Sequence, residues 1–291
     1  VAQSPAHKLG QLIGNFIEKY FEYELTTICQ NRGLYLDVVG TPRKARYGKK
    51  VTWVDVYGSK HDLDFVIERD GTNEQLGLPV ALIECAWRRY TKHSKNKAQE
   101  IQGAVLPVAE KYKYHKPFLG AVIAGDFTKP SVEQLNSCGF STVYFESKEV
   151  FEAFQEAGFD IFYDEQTSDD DATRMIGIFE SLTPEQKRDI FSQIVLKTEG
   201  EVARFKKTLE DTLDRQVSTV VVAPMFGANR NFHTIDEAIE YLSTDGITEV
   251  PEDIGFMNLY VQMVYNNGDR IEGNFKSSVS AQRFLRGNAE I

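Results

Sequence analysis

The segment His61–Gln102, HDLDFVIERDGTNEQLGLPVALIECAWRRYTKHSKNKAQEIQ, decides how the chain is read. It holds two apolar runs, LDFVI and PVALI, each carrying acid at one end: Asp62 and Asp64 in the first, Glu84 in the second. Side chains alternate faces along a strand, so Asp62, Asp64 and Val66 share one face, as do Glu84, Ala86 and Arg88. Paired antiparallel, the two runs bring their carboxylates to one point. Glu84 is the stronger clue, because it interrupts the run ALI…CAW. A carboxylate in such a place is costly unless it is paired or bound to a metal. A hard cation such as Mg2+ (or Mn2+) takes one or two carboxylates together with waters and a substrate phosphate. Cations follow at once: Arg88, Arg89, Lys92, His93, Lys95 and Lys97.

Working outward, apolar residues at three- and four-residue spacing predict a helix over 7–31, with Glu18 and Glu22 off the stripe. Those two acids form a solvated face, or else Glu18 points to the site. A short strand is expected at 34–39. Residues 40–50 lose periodicity and turn basic (Arg43, Lys44, Arg46), which reads as an exposed loop or a cationic arm over a phosphate backbone. Strands are expected at 51–57, 62–68 and 79–87, forming an antiparallel meander with a turn at Asp70-Gly71. Helices at 95–113, 130–138 and 147–157 alternate with strands at 117–124 and 141–145, the first of which is apolar enough to be buried on both faces.

The acidic stretch 164–173 (DEQTSDDDAT) reads as a solvated linker, with a metal loop as the weaker alternative. It divides a domain 1–163 from a smaller α+β domain 164–291. In the second domain, a long helix starts at Thr183-Pro184-Glu185-Gln186 and runs to about Arg215, with a break near Gly200. A strand at 217–223, a helix at 234–242, a hairpin at 257–275 around Asn267-Gly268 and a closing helix at 277–286 follow. No internal repeat is evident.

The chain has 291 residues and a net charge of -10. The acidity is local. Residues 1–163 hold 20 basic and 20 acidic side chains, and residues 164–291 hold 13 and 23. Phosphate affinity follows local cations, so the total does not exclude a nucleic-acid partner. No apolar run reaches the ~18 residues of a membrane helix. Three cysteines without a CxxC pair argue against a disulfide framework and suit a reducing cytoplasm.

The order α-β-β-β-α-β, with an acid at one end of the second strand and another on the third, resembles the PD-(D/E)XK nuclease superfamily over about residues 7–145. The resemblance implies a restriction-endonuclease-like α/β core with a mixed sheet. It places Asp64, or in second place Asp62, at the first acid and Glu84 at the second, both as Mg2+ ligands, and Glu18 at an acidic position of the first helix. It implies metal-dependent hydrolysis of DNA phosphodiesters, and with the cysteine usage and the second domain the expectation is a cytoplasmic, restriction-type endonuclease acting on double-stranded DNA as a homodimer. The chain departs from that pattern at Ala86, where the superfamily has lysine. Lys97, in the first turn of the next helix, is the favoured replacement, with Lys92 and Arg88 as alternatives. Arg43, Lys44, Arg46, Arg88, Arg89, Lys92 and Lys95 are expected to grip the duplex, and Asn96 or Gln99 to reach base edges. If Ala86 marks real loss of function, the fold is an inactive DNA-binding module or the subunit of a defence complex. The domain 164–291 is expected to serve dimerisation or target recognition.

Overall fold

The computed structural model describes residues 4–90, 94–244 and 258–289. It has two compact units, Val1–Lys111 with Pro117–Glu210, and Tyr112–Lys116 with Asp211–Ile291.

In the first unit, α1 (Pro5–Gln30) starts at Ser4, whose side chain accepts from the His7 N–H. Proline follows the cap, where its missing N–H costs nothing. The buried stripe Leu9, Ile13, Phe16, Ile17, Phe21 and Leu25 matches the predicted period. The main sheet contains β1 (Tyr35–Val38), β4 (Phe65–Arg69), β5 (Leu78–Arg88), β6 (Phe118–Gly125) and β7 (Ser141–Glu146), in the order β1-β4-β5-β6-β7. Its first three strands are antiparallel and its last three parallel, so the sheet is mixed. The crossovers run through α2 (Ser94–Lys111) and α3 (Lys129–Ser137), and α4 (Ser147–Glu156) follows β7. The fold is mixed α/β.

The expected meander is corrected. Among the described residues, strand β2 (Val51–Val54) pairs only with β3 (Lys60–Leu63), as a separate two-stranded arm, and β1 takes its expected place beside β4. The single strand expected at 62–68 breaks at Asp64, between β3 and β4.

The basic loop is corrected too. Arg43 and Arg46 do not face solvent. The side chain of Arg43 is 1 % exposed, and it donates to Asp37 Oδ2 at 2.9 Å and to both oxygens of Glu68 at 2.5 and 3.0 Å. Its remaining donors reach the carbonyls of Thr72 and Gln75. Arg46 Nη2 lies 2.7 Å from Asp37 Oδ1 and also meets the carbonyls of Val38 and Thr41. Two cations and two carboxylates thus close a neutral cluster that fastens two loops to the sheet edge. The guanidinium fork suits this bidentate role.

The boundary expected at 163/164 lies instead at 210/211. The aspartates of the supposed linker occupy the first turn of α5 (Asp169–Ser181), where the positive end of the helix dipole favours them. Ser168 caps that helix. Phe179 of α5 and Phe191 of α6 (Pro184–Lys197) pack edge-on against Phe16 of α1. Phe205 of α7 (Glu199–Leu213) packs against Phe21 and Phe118. These buried rings make the three helices part of the first core. The expected break near Gly200 falls at Thr198, the C-cap of α6.

The second unit contains β8 (Val217–Pro224), β9 (Arg230–Phe232), α8 (Ile235–Ser243), β10 (Leu259–Tyr265), β11 (Arg270–Phe275) and α9 (Ser278–Ala289). This is a ββα motif used twice, a repeat that hydrophobic patterning alone does not reveal. At one constant offset, Phe232 matches Phe275, Thr234 matches Ser277, Ala238 matches Ala281, and Leu242 matches Leu285. Thr234 and Ser277 each accept a backbone hydrogen bond at the head of the helix that follows. The sheet order is β11-β10-β8-β9, and Val220 pairs with Met263, its own counterpart. A local two-fold therefore passes between the inner strands. Val220, Val222, Val261, Met263, Ala238, Ala281 and Leu285 form one shared core.

Arg43→Ala should cost about 3–5 kcal/mol, because it leaves Glu68 buried without its cation. Urea unfolding checks this against Lys44→Ala. Lys44 is 75 % exposed and makes only a 3.4 Å ion pair, so its removal should leave the midpoint in place.

Candidate functional site

Asp64 and Glu84 come together. The strand break sets Asp64 beside β5, where its Oδ2 accepts from the Cys85 N–H at 2.7 Å. Through that bond Asp64 sits at the residue next to Glu84, and each carboxyl acts on the charge of the other. Glu84 is 6 % exposed, and its Oε1 has no hydrogen-bond partner among the described residues. Burial pushes the Glu84 carboxyl well above the usual range, and the charges of Asp64 and Glu18 add to the effect. Burial also raises Asp64, against the Cys85 N–H and Lys97, which act to lower it. Glu18 enters from α1 and is pushed up to about 7, by burial first and then by Asp64 and Glu22.

Lys97 stands in the first turn of α2, and its charge favours ionisation of both Asp64 and Glu84. Its Nζ is 3.5 Å from Glu100, which also lies 3.5 Å from Arg88. Among the described residues, no three His, Cys, Asp or Glu side chains close into a metal cage. The donor set is a carboxylate pair, and the orphaned Oε1 of Glu84 fits a hard cation that brings its own water.

Beside the pair opens a cleft of about 720 Å³. Its wall includes His7, Gln11, Asn15 and Glu18 from one side of α1, then Ala86 and Arg88 from β5, and Asn96 and Lys97 from α2. Neither Asp64 nor Glu84 is among the wall residues. Helix α1 reaches the site because Gly10 and Gly14 present no side chain. A Cβ at Gly10 would lie 2.9 Å from the Tyr163 hydroxyl, and one at Gly14 would lie 3.2 Å from Trp87 Cβ. The polar stripe of α1 is a part of the site that sequence reasoning misses, although His7, Gln11 and Asn15 recur at four-residue spacing opposite the apolar one.

The other expected residues divide. Asp62 turns away to Lys50 and Thr52, both at 2.6 Å, and is no part of the site. Arg43 and Arg46 are corrected from phosphate contacts to buried ion-pair partners. Arg89 is also corrected: it pairs with Asp126, donates to the Tyr163 carbonyl and lies over the Phe151 and Phe162 rings. Trp87 is a core residue, donating to the Tyr163 hydroxyl at 3.3 Å. Arg88 borders the cleft, Asn96 lines it, and Lys44 and Lys95 are exposed. Lys92 and His93 lie outside the described residues.

No protein-family model matches this chain, and no curated protein does. A crystal structure described as "Protein of Unknown Function AF1548" resembles it at 12 % identity, over 64 % of this chain and 99 % of that one. The TM-score of 0.29 is too low to support an argument.

The raised carboxyl of Glu18 gives a stability signature. Its folded pKa of about 7 exceeds the ordinary glutamate value of 4.5, so between those pH values the folded state holds a proton that the unfolded chain has released. Wild type should therefore lose stability relative to Glu18→Gln as pH rises through that window. The gap should be absent at pH 4 and should reach about 1–2 kcal/mol above pH 7, after solvent screening trims the full shift. Melting curves of both proteins in EDTA, taken across pH 4–8, measure it.

Proposed function

We propose that the first unit hydrolyses phosphodiester bonds of nucleic acid with the help of a divalent cation, as a nuclease with a restriction-endonuclease-like core. The observation that carries this reading is the meeting of Asp64 and Glu84 in a partly dry site, with one carboxylate oxygen unpartnered among the described residues and the charge of Lys97 acting on both acids. The buried carboxylates at the other end of the same sheet, Asp37 and Glu68, are instead satisfied by arginine.

Asp64 and Glu84 would hold the cation, Mg2+ or Mn2+. When bound, such an ion supplies a Lewis acid next to the scissile phosphate. The protein's own groups divide the remaining work. Lys97 Nζ offsets the negative charge that grows on phosphorus, standing in for the lysine missing at Ala86. Its place at a helix start holds it more firmly than a loop would. The Glu18 carboxyl, with a pKa near neutrality, suits proton transfer from the attacking water. Arg88, Lys95 and Lys44 remain as cations for the phosphate backbone.

One observation favours a second reading. Ala86 lines the cleft with a methyl group, which neither orients water nor offsets charge. On that reading the unit binds DNA without cutting it.

Nicking of supercoiled plasmid in Mg2+ or Mn2+, with EDTA as control, separates the two readings. Wild type should cut, and Glu84→Ala and Asp64→Ala should be inert. Lys97→Ala should cut about 100–1,000-fold more slowly. Undiminished cutting by Glu84→Ala would exclude the carboxylate pair. If wild type and Glu84→Ala both shift DNA in a gel and neither cuts it, the binding module is the answer.

A further inference from the structure

Two tyrosines stand out around the arm formed by β2 and β3, Tyr47 in the loop before it and Tyr57 in its turn. Tyr47 is 102 % exposed and Tyr57 is 87 % exposed. Neither sits on slack chain. Tyr47 lies between Arg46, which is fastened to Asp37 and donates to the Gly48 carbonyl, and Lys49, whose carbonyl accepts from the Gly40 N–H at 2.8 Å. Tyr57 sits in a turn built around Asp55. One oxygen of Asp55 accepts from the N–H groups of Tyr57 and Ser59, both at 2.8 Å, and the other meets His61 Nε2 at 2.9 Å. Both tyrosines thus stand in water on backbone that is tied down by hydrogen bonds, which lowers the ordering cost of receiving a partner there.

Cations accompany both rings. Lys49 and Lys50 lie beside Tyr47, and Lys60 pairs across the arm with Val54, near Tyr57. Lys49 and Lys60 are exposed and have no acidic side chain in ion-pair range among the described residues. The single acid between residues 44 and 60 is Asp55, which is buried. The loop before β2 therefore presents Tyr47 with Lys49, and the turn after β2 presents Tyr57 with Lys60. The arm then runs through Leu63 straight into Asp64.

We infer that the β2–β3 arm and the loop before it, through Tyr47, Tyr57, Lys49 and Lys60, form a binding site for single-stranded nucleic acid. Unpaired bases offer faces on which tyrosines stack, and lysines track the phosphates between them. A duplex hides its base faces and would engage the lysines alone. The inference rests on the nucleic-acid reading above and specifies its substrate as a strand with unpaired bases.

The test uses the full chain in EDTA at low salt, so that binding is read without cleavage. The probes are a fluorescein-labelled oligothymidylate and a labelled duplex, followed by anisotropy. Tyr47→Ala with Tyr57→Ala should weaken oligothymidylate binding tenfold or more and duplex binding less than about twofold. Tyr47→Phe with Tyr57→Phe should bind like wild type. Lys49→Ala with Lys60→Ala should flatten the salt dependence of oligothymidylate binding, by about 0.7 in log–log slope for each phosphate no longer neutralised. These side chains are exposed, so melting temperatures should not move. Unchanged binding in the tyrosine variant, equal weakening on both probes, or no binding of either probe by wild type would overturn the inference. Metal-dependent cleavage of single-stranded circular DNA and of supercoiled plasmid keeps the outcomes separate. Oligothymidylate binding without cleavage of either circle sinks the nuclease and leaves the arm, and cleavage without tyrosine-dependent binding does the reverse.

Discussion

A carboxylate taken out of water must be met by charge, and the antiparallel half of the sheet answers that demand in two opposite ways. At one end, Asp37 and Glu68 are closed by Arg43 and Arg46 into a cluster of short, charge-assisted hydrogen bonds. At the other, Asp64 and Glu84 are set against each other, with Glu18 nearby and one oxygen left without a donor. The first arrangement stabilises the fold. The second works against it, since like charges in a poorly solvated place favour protonation or a bound cation. The proposed nuclease reading rests on that tension.

Much of this is legible in the sequence, for a definite reason. Glu84 within an apolar run, and Asp64 some twenty positions earlier, announce themselves through hydrophobic patterning, and strand pairing then brings them together. The period of α1 and the two helices after β6 and β7 are equally plain. The arginines mislead because composition counts charge and cannot see pairing. Arg43 and Arg46 look like an exposed basic arm until Asp37 and Glu68, which lie on other elements, are placed beside them. The helices at 169–213 read as part of the wrong unit for a similar reason. Acidic residues signal a linker, but in the first turn of α5 they complement a helix dipole. The repeat in the second unit is hard to see because only a few positions per half are shared.

With Arg43, Arg46 and Arg89 committed to internal pairs, the cations near the cleft among the described residues include Arg88, Lys95 and Lys97, and exposed lysines flank the β2–β3 arm. The buried arginines still serve that surface indirectly. They hold the loop from which Tyr47 and Lys49 project, so rigidity comes from one set of cations and contact from another.

The local two-fold of the second unit has a consequence for how that unit can vary. Neither ββα half is self-sufficient, because cutting between them would bare the long edge of β8 or β10 and halve the core. A free half would have to find a twin. Held within one polypeptide, the halves need not be alike: β9 has three residues where β11 has six. The inner strands are held to each other, while the outer strands are at liberty to specialise.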